Sequence, residues 1–319
     1  MSLRTLSDDL NFKLAWIFDH FLGTSKLNFA NLRENIWQKI AAQNKNVSYL
    51  PITEYSFPKN SASKKKFIAG LSRKNPFIIK SATTTPGEQT FHLLSENFGA
   101  VPQAYVDTSI HKFHTGIKSL TELIQTIQTK HSRIAILFGD LVQKHPELLK
   151  ILRLDEEIAT FADVVSGNKN IQFFLAGESA DTQLHAELGS SISIQIHGKK
   201  EWLIFSPSYS AHVFPSINRK MYLESDRYRT IADIELSNVG LSVYRVTLNP
   251  GDLLYVPAFY WHAANPLSPS VSISRKWTRL ASVMEHPALA SIILSSRNPP
   301  AYTRLPFFQK KSNLHPPIG

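Results

Sequence analysis

The C-terminal half of the chain contains short segments in which apolar and small polar residues alternate strictly. Residues 191–196 read Ser-Ile-Ser-Ile-Gln-Ile, and residues 270–274 read Ser-Val-Ser-Ile-Ser. Side chains along a strand point alternately to its two faces, so each segment has one apolar face and one face of small polar residues. Such a polar face is typical of a strand that lines a cavity instead of a packed core. The pattern therefore predicts a β-sheet that encloses a cavity.

Other strands and helices are predicted from the same kind of pattern. β-Branched or aromatic runs between turn residues predict strands at 75–80, 101–106, 171–175, 191–196, 201–205, 241–248, 253–256 and 270–277. Apolar residues at helical spacing predict two amphipathic helices within 6–43 and more helix across 117–153, whereas 51–66 has the composition of a linker. The predicted fold class is mainly β with a helical N-terminal part (α+β), and its core is an antiparallel barrel or sandwich.

Composition narrows the classes of protein and partner. The net charge of +10 favours anionic partners such as nucleic acid, but lysines cluster at 59–66 and 310–311, where a solvated linker and tail explain them equally well. No apolar stretch approaches the ~20 residues that cross a bilayer and no secretory signal opens the chain, so we expect no membrane partner and a cytoplasmic location. The chain has no cysteine, so His, Asp or Glu would have to hold any metal ion.

Two His-x-acid tripeptides are candidate metal-binding pairs. With 12 His and 25 acidic residues in the chain, about one such tripeptide is expected by chance. His145 and Glu147 fall in a predicted helix, where residues two apart point about 200° away from each other and cannot hold one ion. His185 and Glu187 follow a predicted strand, and residues two apart in an extended segment share a face. One imidazole and one carboxylate can therefore converge on a single ion there.

A third ligand for that ion has to come from elsewhere in the chain. The best candidate is His262, which follows a turn, a short strand and a Pro-bent loop. A single histidine beside Trp261 is more often a packed or hydrogen-bonded residue than a ligand. Together with the pair at 185 and 187, however, it completes two imidazoles and one carboxylate, the facial triad of non-haem Fe(II) oxygenases.

Two segments resemble the JmjC or cupin-like Fe(II)- and 2-oxoglutarate-dependent oxygenases. The first reads Thr182-Gln-Leu-His-Ala-Glu and continues at residue 195 as Gln-Ile-His-Gly-Lys-Lys-Glu-Trp-Leu-Ile-Phe-Ser-Pro. The second reads Pro250-Gly-Asp-Leu-Leu-Tyr-Val-Pro and is followed by Tyr-Trp-His at 260–262. Weaker likeness extends from about residue 75 to the strand that ends in Trp277. The resemblance implies a double-stranded β-helix core, the jelly-roll of cupins.

The resemblance also implies roles for individual residues. His185, Glu187 and His262 would be the catalytic iron ligands. Lys200 would pair with the distal carboxylate of 2-oxoglutarate, and Thr182 would hydrogen-bond to it. The acid of this triad is Asp in most hydroxylases of the family and Glu in many of its histone demethylases.

Other interior positions are less clearly assigned by the resemblance. Ser191 and Ser274 stand where many members place asparagine inside the barrel, so they are further candidate cosubstrate contacts. Lys199 should point outward from its strand, although a slip of one residue would exchange it with Lys200.

The implied enzyme binds Fe(II), 2-oxoglutarate and O2, releases succinate and CO2, and hydroxylates a C–H bond of a prime substrate. The leading hypothesis for that substrate is a protein side chain. The alternatives are a small-molecule or carrier-bound biosynthetic intermediate and a tRNA base. N-methyl-lysine demethylation and a catalytically silent cupin-like binding protein are the less favoured readings.

The chain is predicted to consist of three parts. Residues 1–66 form a helical segment and linker, 67–282 the JmjC or cupin-like catalytic domain, and 283–319 a C-terminal helix and Pro-rich tail. The helices outside the catalytic domain either cover the barrel or form a homodimer.

Overall fold

The structure is a computed structural model that describes residues 3–22, 29–43, 45–57, 75–109, 114–154, 171–217 and 222–294. Its helices are α1 Leu3–Leu22, α2 Phe29–Ala41, α3 Thr90–Phe98, α4 Leu120–Ile127, α5 Leu141–Lys144, α6 Leu148–Ile151, α7 Ser210–Val213, α8 Ile231–Glu235, α9 Leu280–Glu285 and α10 Pro287–Leu294. Its strands are β1 Ser48–Leu50, β2 Thr53–Tyr55, β3 Phe77–Ile79, β4 Pro102–Asp107, β5 His114–Ser119, β6 Ile134–Gly139, β7 Ile171–Ala176, β8 Thr182–Glu187, β9 Ser190–His197, β10 Lys200–Phe205, β11 Tyr222–Glu224, β12 Ser242–Leu248, β13 Leu253–Val256, β14 Trp261–Pro266 and β15 Ser270–Trp277.

The strands form two mixed sheets that face each other. One sheet has the order β1-β12-β10-β14-β8-β11, and the other has the order β2-β3-β13-β9-β15-β7-β6-β4-β5. Lys200 on β10 of the first sheet donates a hydrogen bond to Ser272 on β15 of the second. These faces of the two sheets therefore lie opposite each other. The prediction of a mainly β fold with a jelly-roll core and N-terminal helices is confirmed. The prediction of antiparallel pairing throughout was wrong, because β1 pairs with β12, and β2 with β3, in parallel.

The alternating strands explain how the nine-stranded sheet is packed. Its apolar face turns outward, where Ile194 of β9 and Ile273 of β15 pack with Leu94 of α3 and Leu123 of α4 in one hydrophobic cluster. The serines of the same strands take the opposite face, towards the six-stranded sheet, and they are buried there. The small polar face therefore lines the interior between the sheets, as the alternation predicted.

The two predicted N-terminal helices are present and cover the outer face of the six-stranded sheet. Phe12 and Trp16 of α1 and Ile36 of α2 share a buried cluster with Leu203 of β10. Helix α1 also keeps apolar side chains exposed on another face: Leu10, Leu14, Phe18 and Phe21. Homodimer formation stays a prediction. Among the described residues, no helix is both long enough and apolar enough to span a membrane.

The segment 117–153 differs most from its prediction. We expected helix throughout, but it begins in β5, continues through α4 and contains the strand β6 before two short helices. An apolar run as short as 134–139 does not distinguish a strand from a buried helix, and pairing with β4 and β7 decides the outcome. The predicted linker is also partly wrong, because 53–55 forms β2; its residues 58–66 lie outside the described residues, as does 295–319.

A buried ion pair connects the N-terminal helices with the barrel. Arg33 of α2 donates through Nε to the Asp19 carboxylate of α1 at 2.8 Å and through Nη1 to the Pro215 carbonyl at 3.1 Å. The two charged side chains are 4% and 0% exposed. Removing one partner of such a pair leaves an uncompensated buried charge.

We expect Asp19→Ala to lower the free energy of unfolding by about 3 to 5 kcal/mol, because the buried charge of Arg33 would lose the carboxylate that it contacts directly. Urea denaturation followed by circular dichroism measures the change. Lys144→Ala is the control, since it removes one member of an exposed pair with Asp140 (58% and 48% exposed) and should cost less than about 1 kcal/mol. Equal effects of the two substitutions would contradict a structural role for the buried pair.

Candidate metal centre and cosubstrate site

The site lies on the inner face of the six-stranded sheet, where β8 and β14 are neighbours. His185 of β8 pairs with His262 of β14, and Thr182 pairs with Ala264. The register advances three residues on β8 and two on β14, which is a β-bulge. In a regular strand Thr182 and His185 would face opposite sides, and the bulge places both on the face that carries His262.

The hydrogen bonds of the two histidines define which nitrogen is available to a metal ion. His185 Nδ1 donates to the Gln183 carbonyl at 2.7 Å, and His262 Nδ1 donates to the Tyr260 carbonyl at 2.9 Å. A carbonyl oxygen only accepts, so the proton of each neutral ring is on Nδ1 and the lone pair is on Nε2. This second hydrogen bond is the usual way in which a protein fixes the tautomer and orientation of a metal-binding histidine.

Glu187 brings a carboxylate to the same point. Its Oε1 lies 3.4 Å from His185 Nε2. The ligand atoms of His185, Glu187 and His262 all lie within 4.8 Å of one another. Cis ligands of an octahedral ion with bonds of about 2.1 Å are roughly 3 Å apart, so a small closure would let one ion contact all three. The donor set and its convergent lone pairs fit a divalent first-row metal ion.

Burial and nearby charge set the protonation states of these ligands. Burial lowers the pKa of His262 to about 3, and the neighbouring His185 contributes to the shift. Burial by itself would raise the pKa of Glu187, but the ammonium of Lys276 beside it lowers this pKa well below the usual value. His262 is therefore neutral and Glu187 is ionised at pH 7, as metal binding requires.

Lys200 lies in the interior between the sheets. Lys200 is only 5% exposed. Its Nζ donates to Ser272 Oγ at 3.1 Å and lies 5.9 Å from the centre of the Phe174 ring. Burial lowers its pKa to about 8. Lys199 is exposed, so the strand register gives the two lysines opposite faces. Among the described residues no carboxylate forms an ion pair with Lys200, and an anionic ligand would supply the missing counter-charge.

The remaining predicted cosubstrate residues have different positions. On β10, Lys200 pairs with Pro266 of β14, and Ile204 pairs with the candidate ligand His262. Lys200 is therefore four residues, or about 13 Å, along the strand from the position opposite His262. Thr182 is half-buried and lies between these two positions, opposite Ala264. Ser191 and Ser274 are buried on the facing sheet, where Ser191 pairs with Lys276 and Ser274 with Ser193.

The sequence profile of the cupin-like domain matches residues 71–281, which is about two thirds of the chain. The chain belongs to the JmjC and cupin-like family. The three-part domain division, with its central part at 67–282, stays a prediction.

Individual relatives of this cupin-like protein share only one part of its sequence. JmjC domain-containing protein D of Dictyostelium discoideum is 29% identical over 113 residues, 33% of this chain and 24% of that protein. Lysine-specific demethylase JMJ31 of Arabidopsis thaliana is 26% identical over 141 residues, 41% of this chain and 24% of that protein. The tRNA wybutosine-synthesizing protein 4 of Gibberella zeae is 23% identical over 203 residues, 63% of this chain and 18% of that protein. This chain thus spans a quarter or less of the length of these relatives.

Several side chains of the cupin-like interior were not predicted from the sequence. The indole of Trp202 stacks near His262 with ring centres 5.9 Å apart, and the Tyr222 ring lies edge-on to His185 at 6.1 Å. On β15, Ser272 and Lys276 share the face of Ser274, so the alternation of 270–277 was the signal that could have identified both. For Tyr222, on the three-residue strand β11, the sequence offers no comparable signal.

The other His-x-acid pair and a cavity beside α3 and α4 lie outside this site. His145 Nδ1 is 3.3 Å from Glu147 Oε1, and among the described residues no third ligand joins them. A cavity of about 1050 Å³ lies between α3, α4 and the turn that joins β9 to β10, and its lining includes Glu88, Phe91 and Lys199. None of the triad residues lines it, so its size is not an argument about the chemistry of the metal centre.

Proposed function

We propose that this protein is an Fe(II)- and 2-oxoglutarate-dependent dioxygenase that hydroxylates a protein side chain. The observation that carries the proposal is that the ligand atoms of His185, Glu187 and His262 all lie within 4.8 Å of one another, with both imidazoles oriented by backbone carbonyls. The family membership of the chain gives this donor set its expected metal and cosubstrate. Three protein ligands on one side leave the opposite positions of an octahedral ion open.

The chain's own residues would bind and orient the reactants. Lys200 would hold the distal carboxylate of 2-oxoglutarate, with Thr182 beside the molecule, so that its other end points towards the triad. The bound iron would supply the redox chemistry, in which 2-oxoglutarate and O2 become succinate and CO2 and one oxygen atom enters a substrate C–H bond. Apolar and aromatic side chains on the six-stranded side of the interior, including Ile204 and Trp202, would keep bulk water from the reacting atoms.

The segment 206–238 would select the prime substrate, since its Tyr222 borders His185. A tRNA base is an alternative substrate, which the net charge of +10 and the relative named for wybutosine synthesis favour. In that case a tRNA would bind with strongly salt-dependent affinity. No tRNA binding at low salt would exclude this version.

Three other readings remain as alternatives to protein hydroxylation. Demethylation of N-methyl-lysine has Glu187 and the likeness to a lysine-specific demethylase in its favour. Oxidation of a small-molecule or carrier-bound intermediate would be indicated by biosynthetic genes beside this one. A silent cupin-like binding protein would keep the barrel but release no succinate. A cytoplasmic location is part of the same proposal and agrees with a chain that lacks cysteine.

We expect the purified protein to develop a metal-to-ligand charge-transfer band when Fe(II) and 2-oxoglutarate are added without oxygen. The His185→Ala variant should not develop it, because one of the two imidazole ligands is gone. Absorbance spectroscopy measures the band, and mass spectrometry of proteins from cells with and without the gene then searches for a product that has gained one oxygen atom. A wild-type protein that is folded and gives no band would contradict the proposal.

A further inference from the structure

Lys276 makes a contact that the proposed reaction does not use. Its Nζ lies 2.5 Å from Glu187 Oε1, the same oxygen that is 3.4 Å from His185 Nε2. The lysine belongs to β15 of the nine-stranded sheet, whereas the three candidate ligands belong to the six-stranded sheet. An ammonium from the opposite wall of the interior therefore occupies one side of the oxygen that the metal would need.

We infer that Lys276 is a built-in counter-ion of Glu187 that competes with the metal ion, so that the triad binds a divalent cation less tightly than its three ligands alone would. The inference rests on the metal-dependent function proposed above. It assigns Lys276 as a positioning residue, because it acts on the metal through Glu187.

The first argument concerns charge. A divalent ion bonded to Glu187 Oε1 and His185 Nε2 would lie about 2 Å from each, which leaves it only a few ångströms from an ammonium that still contacted the same oxygen. Like charges at that distance in a poorly hydrated interior repel each other strongly. Metal binding would thus have to displace the ammonium or tolerate it, and either way the affinity falls.

The second argument concerns the metal-free protein. Glu187 and Lys276 have side chains only 16% and 21% exposed, so an ionised carboxylate in this position needs a counter-charge. Lys276 supplies it and keeps the carboxylate beside His185. The ligands are therefore held together before a metal ion arrives.

The third argument concerns where the displaced ammonium would go. Lys276 Nζ also lies 4.6 Å from the centre of the Phe138 ring, and Phe138 is 44% exposed. The face of an aromatic ring attracts a cation, and this ring is itself partly exposed to solvent. A flexible lysine side chain can move along it without a change in the strand.

The test compares the affinity for Mn(II), a redox-stable substitute for Fe(II), among the full-length wild-type protein, Lys276→Met and Lys276→Arg. Isothermal titration calorimetry in the absence of 2-oxoglutarate measures the affinity. We expect Lys276→Met to bind Mn(II) about tenfold more tightly or better, because the competing charge is gone. Lys276→Arg keeps the charge and should stay close to wild type or bind more weakly.

A thermal melt in EDTA gives a second measurement. Without metal, Lys276→Met should melt at a lower temperature than wild type, because Glu187 loses its counter-ion. Mn(II) should then raise the melting temperature of this variant more than that of the wild type. If the methionine variant does not fold, Lys276→Gln is measured in its place against the same expectations.

The outcomes separate this inference from the proposed function. If wild type binds Mn(II) and the uncharged variant binds it equally or more weakly, the competition by Lys276 is wrong and the metal centre stands. If both folded proteins fail to bind Mn(II), the metal centre and the inference are both wrong.

Discussion

Replacement of His262 by alanine should weaken Mn(II) binding at least 100-fold and abolish the turnover of 2-oxoglutarate. Loss of a group that only orients a ligand already costs metal sites about 10- to 100-fold in affinity, and here a ligand itself is removed. Calorimetric titration with Mn(II) measures the affinity, and release of succinate measures the turnover.

The fold should survive this substitution. His262 is neutral, so the variant leaves no buried charge behind, and it loses one hydrogen bond to the Tyr260 carbonyl, a cost of about 1 to 3 kcal/mol. Circular dichroism checks that the sheets are intact. His92→Ala is the matched control, because His92 lies on the surface with a side chain 77% exposed and should bind Mn(II) like wild type. Wild-type affinity in the His262 variant would remove this residue from the metal centre.

The strands that the sequence predicted best are those whose signal is local. Apolar and polar residues alternate along 191–196 and 270–277, because one face of each strand packs against helices and the other lines the interior. Every second residue therefore has the same environment, which gives a local signal in the sequence. The N-terminal helices were predicted correctly for the same reason, since one stripe of each packs on the sheet.

Strand β14 shows what the sequence could not reveal. Its residues, Trp-His-Ala-Ala-Asn-Pro, have little intrinsic preference for a strand, and the sequence predicted no strand there. They are extended because β10 and β8 pair with both of their edges. Pairing between distant segments of the chain overrides local propensity here.

In the candidate site, too, some contacts have a local signal in the sequence and others depend on distant segments of the chain. The nearness of His185 and Glu187 followed from the two-residue period of a strand. His262 was proposed from the turn, strand and loop before it and supported by likeness to a family motif. The bulge that brings Thr182 to the same face depends on the pairing of β8 with β14, and the approach of Lys276 depends on how the two sheets are stacked. Such contacts have no local signature, so they could be found only in the structure.

Replacement of Lys200 by methionine should have opposite effects on stability and on cosubstrate binding. The affinity for 2-oxoglutarate should fall about 30-fold or more, because truncating one partner of a buried charge pair costs roughly 2 to 5 kcal/mol. The free energy of unfolding without ligand should rise, by about 1 to 3 kcal/mol, because methionine fills a similar volume without a buried ammonium. Lys199→Met, on the exposed face of the same segment, should change neither quantity.

The pH dependence of stability tests the cause of this difference. Burial depresses the pKa of Lys200 from 10.5 to about 8, so between these values the unfolded chain holds a proton that the folded chain has released. The stability of the wild type relative to Lys200→Met should therefore be lowest and constant below pH 8, and should rise as the pH increases from 8 towards 10.5. Urea denaturation of both proteins at several pH values measures the relative stability.

Binding of 2-oxoglutarate should change with pH in the opposite direction. The cosubstrate needs the ammonium form of Lys200, so its affinity in the wild type should decline above about pH 8. The methionine variant has no such group, and its residual affinity should not show this decline. A wild-type affinity that stays constant from pH 7 to pH 10, together with strong binding in the variant, would mean that another cation holds the distal carboxylate. If Lys200→Met instead gains stability and loses affinity for 2-oxoglutarate, the role of Lys200 is to bind this ligand. Its buried charge opposes folding, because it has no carboxylate partner among the described residues of the chain.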